Sequence, residues 1–520
     1  MSALPGPVPV PSPRTRGGAT RLAITVPGLR RALPGLRGVL PGPRQASIEL
    51  VAGLVTALAL IPETISFSVV AGVDPAVGLS TSFVISAVIA FTGGRPAMVS
   101  AAAGSMALVA APLVRAHGFQ YLMAATIAVG ILMFLLGLAG VARLIRFVPR
   151  TVMIGFVNAL AILIFLAQMP HVFGNGWRVY PLVAAGLAIL LILPRVTKAV
   201  PAPLAAIALL TLVTTTFDLD APTVGDEGAL LTGLPLPGLP DVPMTWETVR
   251  ILLPYVLALT AVGLLETLLT AQIVDRMTDT RHDPNREAWG LGIANFVAGV
   301  FGGMGGCAMI GQTILNVSSG GRGRLSTFAA GGFLLLLVLP LHAIVGVIPM
   351  AALAAVMVVV AAMTFDWNSV RPKTLRRMPV GETLVMIATV AVVVPTHNLA
   401  YGVVVGVILA ALMFTRKAAH LANVTSVLDP EGGVRIYAVQ GPLFFASTGE
   451  LVTAFDYAHD PQRVVIDLSD ADVLDSAAAA AIDDILHRYA ARGQTAEITG
   501  VSHTSAVLLR GLKNEKAANS

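Results

Sequence analysis

Two glutamates stand inside apolar runs, in Leu60-Ile61-Pro62-Glu63-Thr64-Ile65-Ser66 and in Leu264-Leu265-Glu266-Thr267-Leu268-Leu269-Thr270. An ionisable side chain at that depth is expensive and marks a functional position by default. A carboxyl there can take up and release a proton as its surroundings change. Ionised, it could instead hold Na+ beside backbone carbonyls and a hydroxyl such as Thr270. Glu266 has few companion oxygen ligands nearby in sequence, so the proton is the first reading for Glu266 and Thr270 and Na+ the alternative. The structural alternative for both acids is a hydrogen bond that holds helices together.

Two glycine-rich stretches supply a second kind of chemistry. One is Ser100-Ala101-Ala102-Ala103-Gly104-Ser105-Met106 and the other runs from Gly302 through Cys307 to Gly311-Gln312-Thr313. Small residues let a backbone leave helical geometry and let neighbours approach. If each is a broken helix, the exposed N–H groups and dipoles at the half-helix starts attract an anion without a cationic side chain. Gly104, Ser105 and Met106 on one side, Gly311, Gln312 and Thr313 on the other, and the Glu63 carboxyl are the candidate substrate-binding residues. Gln312 donates hydrogen bonds but adds no charge. The plainer reading is that the glycines only permit tight packing.

The elements that must position these residues are membrane spans. Of 520 residues 55% are hydrophobic and 12% charged, against about 25% charged in soluble domains. Apolar segments recur from Ile48 to Phe414, about fourteen by a criterion of about 20 residues each. Lys and Arg gather in alternate loops, among them Arg143–Arg150, Arg276–Arg286, Arg371–Arg377 and Arg416–Lys417. Positive charge marks the cytosol. The loop from Asp218 to Thr248 has six acidic residues and no Lys or Arg, which places it outside and both termini inside. It divides the membrane part into halves at about 48–217 and 248–417. Seven spans each force opposite orientations, the inverted repeat typical of secondary transporters. Each half carries its Glu-Thr pair in its first helix and its glycine-rich stretch in its third.

Residues 1–46, rich in Pro, Gly and Arg, read as a disordered basic tail with a short interfacial helix near Leu22–Leu33 and no signal peptide. From Asp429 the texture is that of a small soluble α/β domain, assigned to 418–520. Val434–Val439, Val464–Leu468 and Thr495–Thr499 read as strands and Ser476–Ala491 as a helix. The single cysteine, Cys307, excludes an internal disulfide and reads as a small packing residue. Asn158 and Gln168 read as helix contacts or caps, His342 as an interfacial histidine and Arg95 as a loop charge that sets topology. No phosphate loop, metal-ligand spacing or nucleophile motif appears, so the chain reads as neither an ATP-driven pump nor an enzyme, with no cofactor, metal or nucleic-acid partner.

The residues resemble the SulP family of anion transporters, which end in a STAS domain. The series is Glu266-Thr267-Leu268-Leu269-Thr270-Ala271, Thr280 through Glu287, Gly292-Ile293-Ala294-Asn295, Gly299 through Gly303, and Asn316 through Arg324. Ile61-Pro62 with Ala71 through Leu79 matches too, although Glu63 stands where members commonly carry Gln. In the tail, Gly441 through Ala446, Val465 through Ser469 and Asp475-Ser476 resemble STAS. The resemblance implies core and gate domains moving in an elevator-like way, an anion site between the third and tenth helices, a homodimer, and sulfate, bicarbonate or a dicarboxylate as cargo. In Na+-coupled relatives an acid and a Thr one turn later bind the cation, matching Glu266 and Thr270. Ser476 is a possible phosphorylation site or simply the cap of its helix. The expectation is therefore a proton-coupled anion symporter in a bacterial inner membrane. Na+-coupled or uncoupled transport, a nucleobase-type permease and a membrane-anchored STAS regulator are the alternatives.

Overall fold

A computed structural model describes residues 42–143, 148–173, 176–196, 201–429 and 433–510. Most of the expected tail, including Leu22–Leu33, lies outside the described residues. The first helix, α1 (Pro43–Ala71), begins inside the stretch read as tail, with Pro43 at its start, where a missing N–H costs nothing.

The first half continues as α2 (Pro75–Thr92), β1 (Ser100–Ala102), α3 (Gly104–His117), α4 (Phe119–Leu138), α5 (Arg150–Val172), α6 (Val179–Val196) and α7 (Ala202–Thr216). The second comprises α8 (Trp246–Thr278), α9 (Pro284–Val300), β2 (Gly306–Ala308), α10 (Ile310–Ser318), α11 (Arg324–Gly346), α12 (Met350–Thr364), the short α13 (Pro372–Leu375), α14 (Val380–Thr396) and α15 (Leu399–Ala419). Eight of these helices are long and apolar enough to cross a membrane. Among the described residues, and leaving α13 aside, each half lays out seven segments, of which the third is a strand followed by a short helix. β1 and β2 pair antiparallel, Ala101 opposite Cys307. Corresponding pieces of the two halves therefore run in opposite directions, as an inverted repeat requires. Large apolar side chains such as Leu138, Leu212 and Leu412 point outward, where lipid would cover them.

The helices sort into two bundles. α1–α4 pack with α8–α11, and α5–α7 pack with α12, α14 and α15. Small residues allow the closest crossings. A Cβ on Gly292 of α9 would lie 2.4 Å from the Phe134 nitrogen of α4, and one on Gly53 of α1 would lie 2.6 Å from Ala329 of α11.

Arg95 corrects the sequence reading. It is 8% exposed, and its guanidinium lies 3.0 Å from Asp275. Its backbone N–H donates to Glu287 at 2.8 Å. The loop can fold that tightly because Gly93-Gly94 precedes it, a Cβ on Gly94 falling 2.4 Å from the Asp283 carbonyl. Arg95 thus joins the two halves inside one bundle. Asn158 is a contact residue as expected, donating to Ser369 at 2.9 Å and accepting from Asp366 N–H at 2.8 Å. His342 is exposed.

After α15 the chain forms a four-stranded sheet, β3 (Asn423–Leu428), β4 (Val434–Leu443), β5 (Arg463–Val473) and β6 (Thr495–Thr499), in that spatial order. β3 is antiparallel to β4, and β4, β5 and β6 run parallel. α16 (Thr448–Thr453) and α17 (Ser476–Ala490) provide the crossovers. The three strands and the helix read from sequence are present. β3 and α16 are additional, since β3 alternates weakly and lies mostly exposed.

Candidate functional site

The β1–β2 ribbon lies at the centre of the first bundle, and unpaired backbone at that depth must find partners within the protein. Hydroxyl and amide side chains provide them. Ser82 accepts from Ala102 N–H at 3.1 Å, Thr267 from Ala308 N–H at 3.0 Å and Thr81 from Met304 N–H at 2.9 Å. Asn295 brackets Gly306, donating to its carbonyl at 3.0 Å and accepting its N–H at 2.9 Å. Ser86 donates to the Ser100 carbonyl at 2.7 Å. A ribbon held this way gives both following helices fixed starting points.

Those starts are the candidate anion-binding groups. In α3 the first backbone bond runs from Ala107 N–H to the Ala103 carbonyl at 2.9 Å. The N–H groups of Gly104, Ser105 and Met106 precede it and have no helical acceptor. In α10 the first bond runs from Thr313 N–H to the Met309 carbonyl at 3.0 Å, so Ile310, Gly311 and Gln312 hold the free donors. The two helices leave the antiparallel ribbon in opposite directions, with their positive ends flanking it. A Cβ on Gly311 would meet open space, whereas one on Gly104 would strike the Phe67 ring at 2.6 Å.

The structure corrects the role of Thr313. Its backbone N–H is committed, and its hydroxyl accepts from Val99 N–H at 3.0 Å. It fastens α10 to the backbone just before β1, so neither of its groups is left for a ligand. Ile310, outside the candidates named from the sequence, takes its place as a backbone donor. Met106 contributes only backbone, because its side chain is fully buried against the bundle, beside Gly263 and Gly305.

The two acids take different places. Glu63 is half-buried in the middle of α1 and accepts a hydrogen bond from Gln312. Glu266, in α8, is 7% exposed. Its Oε2 accepts from the Ser105 hydroxyl and, at 3.2 Å, from the Cys307 thiol. Thr270 does not reach that carboxyl; its hydroxyl donates to the Glu266 backbone carbonyl at 2.7 Å. Each acid thus meets the first turn of one short helix, Glu63 through Gln312 of α10 and Glu266 through Ser105 of α3. Cys307 is the neighbour that composition alone left as packing. Its place one residue into β2, opposite Ala101, was hidden until the strand register was known. Among the described residues no group of His, Cys, Asp and Glu could hold a metal ion.

The pattern of the sulfate permease family matches residues 47–180 and 175–389, and that of the STAS domain matches 427–516. The chain belongs to the sulfate permease family. YbaR of Bacillus subtilis (strain 168), a provisional sulfate transporter by name, is 52% identical over 462 residues, spanning 89% of this chain and 96% of its own. The transmembrane domain of a cyanobacterial bicarbonate transporter, BicA, superposes with a TM-score of 0.63 at 25% identity, covering 69% of this chain and 98% of that one. The murine anion transporter Slc26a9, solved in the inward-facing state, has a TM-score of 0.76 at 16% identity over 89% of this chain and 87% of its own. At that identity the likeness is one of fold. The resemblance read from the ordered motifs is thereby met, and so is the architecture, a helical membrane protein with a terminal STAS domain. The sulfate permease family consists of transporters, not enzymes.

Proposed function

We propose that the chain is a secondary transporter of small anions, coupled to protons. One observation carries the reading. The carboxyl of Glu266 sits against the first turn of α3 through Ser105, so it shares the positive end of that helix with any bound anion. An ionised Glu266 competes with the anion for that field. A protonated Glu266 does not. Anion and proton therefore favour each other's binding, and by linkage each raises the affinity for the other by the same factor. The names of the relatives support sulfate or bicarbonate type anions.

The separation into two bundles supports an elevator-like movement, in which α1–α4 and α8–α11 carry the site past α5–α7, α12, α14 and α15. We assign the chain to a bacterial plasma membrane, as a homodimer with both termini and the STAS domain cytosolic, from its positive loops and its family. Exposed Ser476 is a candidate for regulatory phosphorylation.

The test is uptake into proteoliposomes of sulfate, bicarbonate and a dicarboxylate in turn, at acid and at alkaline external pH, with NaCl or choline chloride. An inward proton gradient should drive uptake of one of them in the wild type and not in Glu266→Gln. PH-driven uptake that survives in that variant would remove Glu266 from coupling.

A further inference from the structure

We propose that residue 307 selects the coupling ion: with sulfur where a hydroxyl could stand, the Glu266 site lacks an oxygen ligand for a hard cation such as Na+ and stays open to a proton. This rests on the proton reading above.

Cys307 is the chain's only cysteine and lies in β2 between Gly306 and Ala308. It is fully buried. As a mere filler of space its sulfur would face hydrocarbon. Instead it lies 3.2 Å from Oε2 of Glu266 and 3.6 Å from the Ser105 hydroxyl. Half of the donor set on the acid's Oε2 is therefore sulfur.

That choice separates the two ions. Hard cations take oxygen ligands, several at a time, and a neutral thiol is not one of them. The other side-chain oxygens on this turn of α8 and around β2 are engaged in holding the backbone. Thr267 accepts from Ala308 N–H at 3.0 Å. Asn295 is spent on both polar groups of Gly306. The Thr270 hydroxyl is turned to the Glu266 carbonyl. Among the described residues Ser105 is the one hydroxyl that meets the carboxyl, so side chains offer a cation there one carboxyl and one hydroxyl, and the rest of its shell would have to be backbone carbonyls. A proton needs no shell. A thiol is also a weak donor and weak acceptor, so it loses little when the carboxyl changes from charged to neutral. Replacing sulfur by oxygen at this point, in a side chain of nearly the same shape, adds a second hydroxyl to the carboxyl and tips the site toward a hard cation.

The experiment uses the full-length purified chain and Na+ itself as probe. Thermal unfolding in detergent and anion uptake in proteoliposomes are measured in NaCl against choline chloride for the wild type and for Cys307→Ser, Cys307→Thr and Cys307→Ala, with gel filtration as the folding control. Wild type and Cys307→Ala should ignore Na+. Cys307→Ser or Cys307→Thr should gain saturable stabilisation by Na+ and a fall in anion half-saturation of roughly fivefold or more, the lower end of usual coupling between sites. Folded hydroxyl variants that stay indifferent to Na+ would overturn the inference. So would a wild type, or a Cys307→Ala variant, that Na+ already stabilises. A wild type that ignores the pH gradient while Cys307→Ser gains a Na+ response would defeat the proton reading and leave the selectivity of residue 307 standing.

Discussion

The Ser105 hydroxyl, on the first turn of α3, donates to the carboxyl of Glu266 in α8, and so ties the first half's broken segment to the second half's acid. If that bond transmits the state of Glu266 to the anion, Ser105→Ala should weaken anion binding and flatten its pH dependence together. Hydrogen bonds to charged groups contribute about 1.5–3 kcal/mol, so the apparent affinity should fall about tenfold or more. Uptake titrated against anion at several pH values checks this. A change in affinity with an unaltered pH profile would make Ser105 a ligand only.

Gln312 offers the contrasting case. It joins Glu63, not Glu266, from the first turn of α10. Gln312→Ala should lower anion affinity by a similar order, about tenfold, while the pH midpoint set by Glu266 stays in place. The same titration distinguishes the two variants. A shifted midpoint would show that Glu63 and Glu266 titrate as one system.

Much of this site was legible before any coordinates. Glu63 and Glu266 announced themselves as charges in apolar runs, and Gly104 and Gly311 as breaks in helices. The family series also includes Asn295, whose amide holds Gly306. What the sequence hid was register. A thiol counts as filler until β2 is set against β1, and only then does Cys307 reach Glu266. Thr313 was misjudged for the same reason, since a hydroxyl at a helix start serves ligand and backbone equally well until its partner, Val99, is in place. Arg95 was misjudged because a loop charge and a buried ion pair have the same sequence, and Asp275 lies far along the chain.

The crossing of α4 and α9 should be intolerant of any side chain at Gly292. Its Cβ would fall 2.4 Å from the Phe134 nitrogen and 2.7 Å from the Gly130 carbonyl, both backbone atoms that cannot swing aside. Overpacking of this kind costs about 1–3 kcal/mol. Gly292→Ala should lower the unfolding midpoint of the detergent-solubilised protein and its yield, whereas Gly332→Ala, with nothing within 4 Å, should change neither.

In the STAS domain the cap of α17 is Asp475 and not Ser476. The Asp475 carboxylate accepts from Ala478 N–H at 2.9 Å and from Phe445 N–H at 2.8 Å, while Ser476 is exposed. Asp475→Ala should destabilise the domain by about 1 kcal/mol, the usual worth of a cap, and Ser476→Ala should not. Equal effects would return the capping role to Ser476. A neutral Ser476→Ala would leave modification as the open role of that hydroxyl.

The loop between α7 and α8 provides a pH prediction outside the membrane segments. The backbone N–H and the hydroxyl of Thr223 both donate to the Asp226 carboxylate at 2.8 Å. The first of these bonds, then the second, holds that carboxyl below the ordinary aspartate range. The turn they close is pinned to the start of α12 in the second bundle by Met350 N–H on the Pro222 carbonyl at 2.8 Å, beside Val224 N–H on the Ile348 carbonyl at 2.9 Å. The same loop reaches the first bundle through Ala76 N–H on the Ala229 carbonyl at 3.1 Å and Gly238 N–H on the Val300 carbonyl at 2.7 Å. A depressed folded value means the contribution is fully present above the ordinary aspartate range and disappears as pH falls through that lower value. Hydrogen exchange at 222–230 should therefore be protected at neutral and mildly acid pH in the wild type, and less protected, to the same degree at every pH, in Asp226→Ala. Exchange in the variant indistinguishable from wild type would show that the backbone bonds to Ile348 hold the turn without the carboxylate. If the bundles slide past each other in transport, one of the loop's two attachments must open, so the same peptides should also lose protection when anion and proton are supplied together.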